Sequence, residues 1–127
     1  MKKSNKKSDK HSFRYQLRSF IFAFRGITIF LVSETKAIIH LAAAIFVIVA
    51  GIYLKISKTD WGLIIFAIAL VFVTEMINTS FEKLTDQIKP DYNAEAERIK
   101  NIMAGAVLVS AMAAVAIGLL VVLPKLI

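Results

Sequence analysis

Three long apolar runs dominate the chain, each bounded by clustered polar residues. A bilayer core of ~30 Å needs roughly 20 mostly apolar residues as a helix. Ala37–Leu54 carries no formal charge, and His40 is its one side chain that ionises near neutral pH. Trp61–Phe81 is interrupted by a single acid, Glu75. Ile102–Leu123 has no ionisable side chain and stops at Pro124, a residue that cannot continue a helix. The pattern predicts span 1 over 34–54, span 2 over 61–86 and span 3 over 94–123. Lys55–Asp60 is a short polar hinge, whereas the longer connection Glu82–Lys100 contains Pro90 and the turn-prone Asp91 and Asn93. Asn93 is placed to cap the next helix, with Glu95 and Glu97 complementing its dipole.

A different helix precedes the first span. Phe13, Leu17, Phe20 and Phe24 recur at helical spacing, and Arg14, Arg18 and Arg25 occupy a neighbouring stripe. That pattern predicts an amphipathic helix over 13–33 lying in the membrane interface, phenylalanines down and arginines toward anionic headgroups. The basic tail, 1–12, is expected to be disordered. It lacks the compact apolar core and small-residue cleavage site of a signal peptide.

Composition agrees with the pattern. The chain has 127 residues, 57% hydrophobic, with a mean hydropathy of +0.68. A soluble domain sits nearer ~45–50% apolar, and a core this small could not hide the excess. The fold class expected is therefore an all-α membrane protein, with one membrane domain over 13–127. Cysteine is absent, which removes disulfides, thiolate metal sites and cysteine nucleophiles. The net charge is +7, and the segment 1–25 supplies all of it. A basic patch beside an apolar helix reads as a lipid-surface anchor, so no nucleic-acid partner is expected. By the positive-inside rule the N-terminus and the Glu82–Lys100 connection face the cytoplasm, where ATP is available.

The second span carries the chemistry. A carboxylate at membrane depth is costly, which makes Glu75 a functional candidate. Asn78, Glu82 and Asp86 follow at 3, 7 and 11 residues. At 3.6 residues per turn the four fall within roughly an 80° sector. A helix end emerging into water accounts for Asp86 and Glu82 but poorly for Glu75, because Met76, Ile77 and Phe81 keep the surroundings apolar. Glu34 precedes the first span at the cytoplasmic end, and two carboxylates from different helices would suit Mg²⁺. Alternatively Glu34 pairs with Lys36 or solvates the helix start. Lys100 suits either a phosphate contact or a snorkelling interface lysine. His40 reads as a hydrogen-bonded packing residue rather than a ligand. No GxxxxGK[ST] loop is present, and the five glycines are too scattered to cradle a phosphate.

The run Glu75-Met-Ile-Asn-Thr-Ser-Phe-Glu82-Lys-Leu-Thr-Asp86 resembles the pattern E-x-x-N-[ST]-x-x-E-x-x-x-D of the prokaryotic diacylglycerol kinase family, small integral-membrane lipid kinases. The resemblance covers about residues 13–125. It includes Phe24-Arg25-Gly26, Glu34, a Pro-Asp-Tyr connection, and Lys100 followed by Ala104-Gly105-Ala106-Val107-Leu108. Ile39-His40-Leu41 and the Ala-Gly-Ala-Val-Leu element look more like the undecaprenol kinase branch.

The resemblance implies an ATP- and Mg²⁺-dependent kinase of a membrane lipid alcohol, diacylglycerol or undecaprenol, in the bacterial inner membrane. It implies a homotrimer with sites between protomers. By motif position Glu75 would be the general base and Asn78 would orient it or the reacting oxygen. Glu34 and Glu82 would hold Mg²⁺, and Lys100 would contact phosphate. Asp91, Tyr92 and Asn93 match the segment near the nucleotide, while Tyr15 and Phe22 fall at nucleotide-side positions of the N-terminal helix. Two departures stand out. Asn101 replaces the family's active-site aspartate, and Glu34-Thr-Lys-Ala-Ile38 lacks both arginines of the undecaprenol kinase branch.

Elementary chemistry supports the transfer. Phosphoryl transfer needs mainly positioning and electrostatic stabilisation, and a carboxylate withdrawn from water is a sensible base for a lipid alcohol. A small proton-coupled multidrug transporter also carries a lone intramembrane glutamate, but it would need a fourth span and an acid in the first. A structural or holin-like membrane protein leaves the acidic stripe unmotivated. The ridge Ala106, Ser110, Ala114 and Gly118 permits close helix approach within a protomer or between protomers.

Overall fold

The computed structural model describes residues 12–88 and 91–127. Among them all regular structure is helical: α1 (Phe13–Ser33), α2 (Thr35–Leu54), α3 (Lys58–Ile88) and α4 (Ala94–Leu126). All four are long and apolar enough to cross a membrane. The basic tail of the sequence reading falls outside the described residues except for Ser12. The chain divides into two compact units, Met1–Ile38 and Ile39–Ile127.

In the N-terminal unit Ser12 caps α1, its side chain accepting from the Tyr15 N–H at 3.2 Å. The helix ends where Glu34 turns to extended backbone, φ −112° and ψ 121°. The Glu34 carbonyl then accepts from the Ala37 N–H at 3.1 Å, so this acid lies at the break between α1 and α2. Phe13, Phe20 and Phe24 are all exposed, an apolar stripe available to lipid.

In the second unit α3 packs chiefly on α4. Thr74 meets Ser110, and Asp86 meets Lys100. The paired numbers run in opposite directions, so the helices are antiparallel. At 1.5 Å per residue the 31 residues of α3 and 33 of α4 reach ~45–50 Å, well beyond the ~30 Å apolar slab. The polar ends therefore remain helical: α3 runs to Ile88, two residues past the expected 86, and α4 starts at Ala94, as expected. Polarity there marks exit from lipid, not loss of helix. At the entry to α4, Asn93 Oδ1 accepts from the Glu95 and Ala96 N–H groups at 3.0 and 3.1 Å, the cap that the sequence suggested.

The hinge between α2 and α3 is tighter than its polarity implied. Lys55 adopts a left-handed φ of 53°. Its N–H bonds to the Ile52 carbonyl, and the Ile56 N–H bonds to that of Gly51. Together these form a Schellman stop. Ser57 then caps α3 by accepting from the Asp60 N–H at 3.1 Å. Ile56 packs on Trp61, stapling the helix entry. Consequently Lys58–Asp60 form the first turn of α3, not loop. A Cβ on Gly51 would lie 2.9 Å from Trp61 Cη2, so the hinge needs glycine there for space.

Pro124 does not end α4, contrary to the sequence expectation; the helix continues to Leu126. In the last turn a proline removes one bond to the preceding turn and leaves little helix downstream to disrupt.

Ile56, Ile64 and Val121 form a small buried cluster at the hinge end. Elsewhere large apolar side chains face outward, Phe46, Tyr53 and Leu120 among them. In water such exposure would be ruinous, whereas in lipid the tails are themselves apolar.

Candidate active site

The most fully buried large side chains among the described residues are polar: Glu75 is 1% exposed and Asn78 2%. That inverts the usual preference, in which charged groups avoid the interior unless paired. Both lie on α3, one turn apart, above the apolar hinge cluster. Thr79, also buried, extends the same face. The sequence reading passed over Thr79, although it sits four residues after Glu75 and so shares its side of the helix.

Hydrogen bonds run along the stripe. Asn78 Nδ2 donates to Glu82 Oε1 at 3.2 Å. Asn78 Oδ1 is buried and accepts no hydrogen bond. A buried acceptor left so costs about 1–3 kcal/mol, and such groups are rare enough to call for a reason. Further out, Lys100 of α4 donates to Asp86 Oδ1. Both partners are substantially solvated, so the pair is worth at most about 1 kcal/mol. An incoming anion can compete for Lys100 at little cost.

Nearer Glu75, other helices also reach the stripe and its flank. His40 Nε2 of α2 lies 4.0 Å from Glu75 Oε2, and its ring meets Phe72 edge-on, centroids 6.4 Å apart. Next to Glu75 in sequence, Thr74 shares a hydrogen bond of 2.8 Å with buried Ser110. Ser110 therefore faces α3 within the protomer, which places at least this member of the small-residue ridge in an intrachain contact. Neither Thr74 nor His40 stood out as a site residue in the sequence, because partners 35 and 36 positions apart leave no local signal.

Toward the apolar side of Glu75 opens a cavity of about 320 Å³. His40, Val71 and Phe72 lie at its Glu75 end, and Ala44, Ala67 and Ala114 keep it wide.

The remaining candidates fall into separate groups. Asp91 and Tyr92 are exposed at the start of the α3–α4 connection's described end, and Tyr92 hydrogen-bonds Glu97. The Glu97 carboxylate, with a smaller contribution from burial, raises the Tyr92 pKa above its usual 10.0. Asn93 has its side-chain oxygen engaged in the α4 cap. Asn101 is exposed beside Lys100. In the N-terminal unit Tyr15 and Phe22 are both exposed, with the Arg25 guanidinium 5.6 Å over the Phe22 ring. Glu34 sits at the α1–α2 break of that unit. No cluster of three or more His, Asp or Glu side chains forms among the described residues.

Comparison with known proteins bears on this geometry. Residues 21–122 match the family model described as prokaryotic diacylglycerol kinase, a range that contains every candidate except Tyr15. The chain is similar to undecaprenol kinase of Bacillus subtilis (strain 168), 37% identical over 109 residues that make up 86% of this chain and 89% of that protein. It is also similar to diacylglycerol kinase of Synechocystis sp., 31% identical over 111 residues, 87% of this chain and 63% of the relative. A diacylglycerol kinase of Helicobacter pylori is 35% identical over 66 residues, about half of each chain.

Proposed function

The chain belongs to the prokaryotic diacylglycerol kinase family, and on that premise we propose that it transfers the γ-phosphate of ATP to the hydroxyl of a membrane lipid alcohol, with Glu75 as the general base. It is a membrane-embedded lipid kinase. The observation that carries the role of Glu75 is its burial, at 1% exposure, on a helix long enough to cross the bilayer. A lipid hydroxyl arrives laterally through the membrane, so the group that deprotonates it belongs below the surface.

Oε of Glu75 takes the hydroxyl proton as the lipid oxygen bonds to phosphorus and the bond to the leaving ADP oxygen breaks. The proton then returns to solvent. Asn78, bonded to Glu82 and carrying an unused acceptor, orients the reacting groups. Lys100 exchanges Asp86 for phosphate oxygens. Asn101 beside it, and Asp91, Tyr92 and Asn93 at the mouth of α4, lie on the nucleotide side. Tyr15 and Phe22 of α1 contribute from the N-terminal unit. The apolar cavity beyond Glu75 offers the first carbons of the lipid tail a dry path.

The residues also fit Mg²⁺. The ion uses only one or two carboxylates and fills its shell with water and substrate phosphates. Glu82 supplies a hard oxygen beside the unpaired Asn78 Oδ1; Glu34 is assigned as the second carboxylate by the family resemblance alone. When bound there, the ion neutralises charge on the triphosphate.

In the bacterial inner membrane, α1 lies in the interface and α2–α4 cross it, with the Lys100 end facing the cytoplasm. Three spans cannot enclose both a lipid hydroxyl and a triphosphate, so a single protomer is inactive; the homotrimer with shared sites is what the family resemblance implies. The test is phosphate transfer from ATP to undecaprenol and to diacylglycerol, side by side, with and without Mg²⁺. Mg²⁺-dependent product from either lipid supports the reading. No product from both, in protein that still binds ATP, refutes it.

A further inference from the structure

Hydroxyl groups inside the helices follow one habit among the described residues. Ser19, Thr28, Ser33, Thr74, Ser80 and Thr85 each direct the hydroxyl to the carbonyl four residues back. Such back-bonding is the common fate of a helical serine or threonine. Thr79 departs from it. The residue is only 8% exposed, yet its hydroxyl bonds neither to the Glu75 carbonyl nor to any other group among the described residues. We propose that Thr79 is a further catalytic residue, its hydroxyl donating to an oxygen of the phosphoryl group as that group passes from ATP to the lipid. This rests on the kinase reading, with Glu75 at the lipid end of the transfer.

Helix geometry supplies the placement. Glu75, Asn78, Thr79 and Glu82 fall within roughly a 100° sector, and Thr79 stands ~6 Å along the axis from Glu75 and ~4.5 Å short of Glu82. The transferring group must lie between the base that receives the lipid proton and the carboxylate assigned to the metal, and Thr79 occupies that stretch. Phosphoryl oxygens accept hydrogen bonds and need donors. The ionised carboxylates of Glu75 and Glu82 only accept. Asn78 directs Nδ2 to Glu82 and keeps Oδ1, an acceptor, as its free atom. Lys100 lies further out, on Asp86 one turn beyond Glu82. In this stretch of α3 the Thr79 hydroxyl is the buried donor whose proton is uncommitted.

The step balances with Thr79 as a donor alone. The lipid oxygen bonds to phosphorus, the bond to the ADP oxygen breaks, and the lipid proton goes to Glu75. Thr79 keeps its own proton throughout and acts through the hydrogen bond. A buried hydroxyl without a partner opposes folding, and valine has the same branched shape without that burden. A threonine kept only for packing would therefore lose nothing on exchange for valine. One that meets charge developing in the transition state would lose about 10²-fold in rate, the scale on which a single such donor acts.

The decisive experiment compares Thr79→Val, Thr79→Ser and Glu75→Gln in lipid phosphorylation, with thermal unfolding followed in the same micelles. Thr79→Val is expected to lower kcat by about 10²-fold, to leave KM for Mg²⁺–ATP unchanged, and to unfold at or above the midpoint of the parent. Thr79→Ser keeps the hydroxyl and is expected to stay within a few-fold of the parent in kcat. Full kcat in Thr79→Val would overturn the proposal. Equal losses in the serine and valine variants would overturn it too, because the methyl group and not the hydroxyl would then matter. A loss confined to KM would do the same, since it would mark a contact with bound ATP that does not strengthen in the transition state. If Thr79→Val does not fold, Thr79→Ala takes its place against Thr79→Ser, with the same readings. A near-parent rate in Glu75→Gln would instead remove the general-base reading, so the two failures are distinguishable.

Discussion

Replacing Asn78 by leucine should separate stability from catalysis. The substitution removes two opposed contributions. The hydrogen bond from Asn78 Nδ2 to Glu82 is lost. A bond to a charged group is worth about 1.5–3 kcal/mol, and the low end applies because Glu82 is half-exposed. Against that, the buried Oδ1 with no donor disappears, relieving about 1–3 kcal/mol. Leucine has similar volume and buries its methyl groups where the amide stood, within a site 2% exposed. The sum lies near zero, within about 1 kcal/mol. Thermal unfolding in detergent micelles should therefore give Asn78→Leu a midpoint equal to or slightly above that of the parent. Phosphate transfer to lipid should fall steeply in the same preparation. A stability loss above about 2 kcal/mol would mean that the amide is fully satisfied in the working protein. Unchanged turnover would mean that its burial has no catalytic purpose.

Other outcomes follow from the same structure. Lys55→Gly should stabilise the chain by roughly 1 kcal/mol in thermal unfolding, since glycine adopts the left-handed backbone of the hinge without the Cβ penalty. Glu34→Gln and Glu82→Gln should each raise the Mg²⁺ concentration for half-maximal rate, because each removes an anionic oxygen; a metal titration showing no change in either variant would reduce both to helix-end residues. Asn101→Asp should raise turnover by restoring a charge that orders Lys100, and an unchanged or lower rate would show that this chain compensates elsewhere.

The apolar runs made the helices legible because a bilayer demands length and hydrophobicity together. The same criterion misplaced their ends. Lys58–Asp60, expected in the hinge, form the first turn of α3, and the helix runs two residues past the expected 86 to Ile88, since its polar ends satisfy their own backbone. The Lys55 stop was hidden because lysine rarely takes positive φ, and the bonds of Ile52 and Gly51 that enforce it are invisible in composition. In the site, Glu75, Asn78 and Glu82 could be found by helical period alone, as they share one element. His40 and Ser110 belong to other helices, and only packing reveals that they face α3. Lys100 was legible as a cation near the site, but not as the partner of Asp86.

The most direct measurement is single-turnover transfer of labelled γ-phosphate from Mg²⁺–ATP to lipid alcohol by Glu75→Gln, with ATP binding and unfolding followed in the same samples. The amide keeps the shape of the buried side chain and cannot take a proton. Transfer should fall by ~10²-fold or more while ATP binding and the unfolding midpoint stay close to the parent. A rate near that of the parent, with lipid and nucleotide saturating, would contradict the assignment of Glu75 as the base.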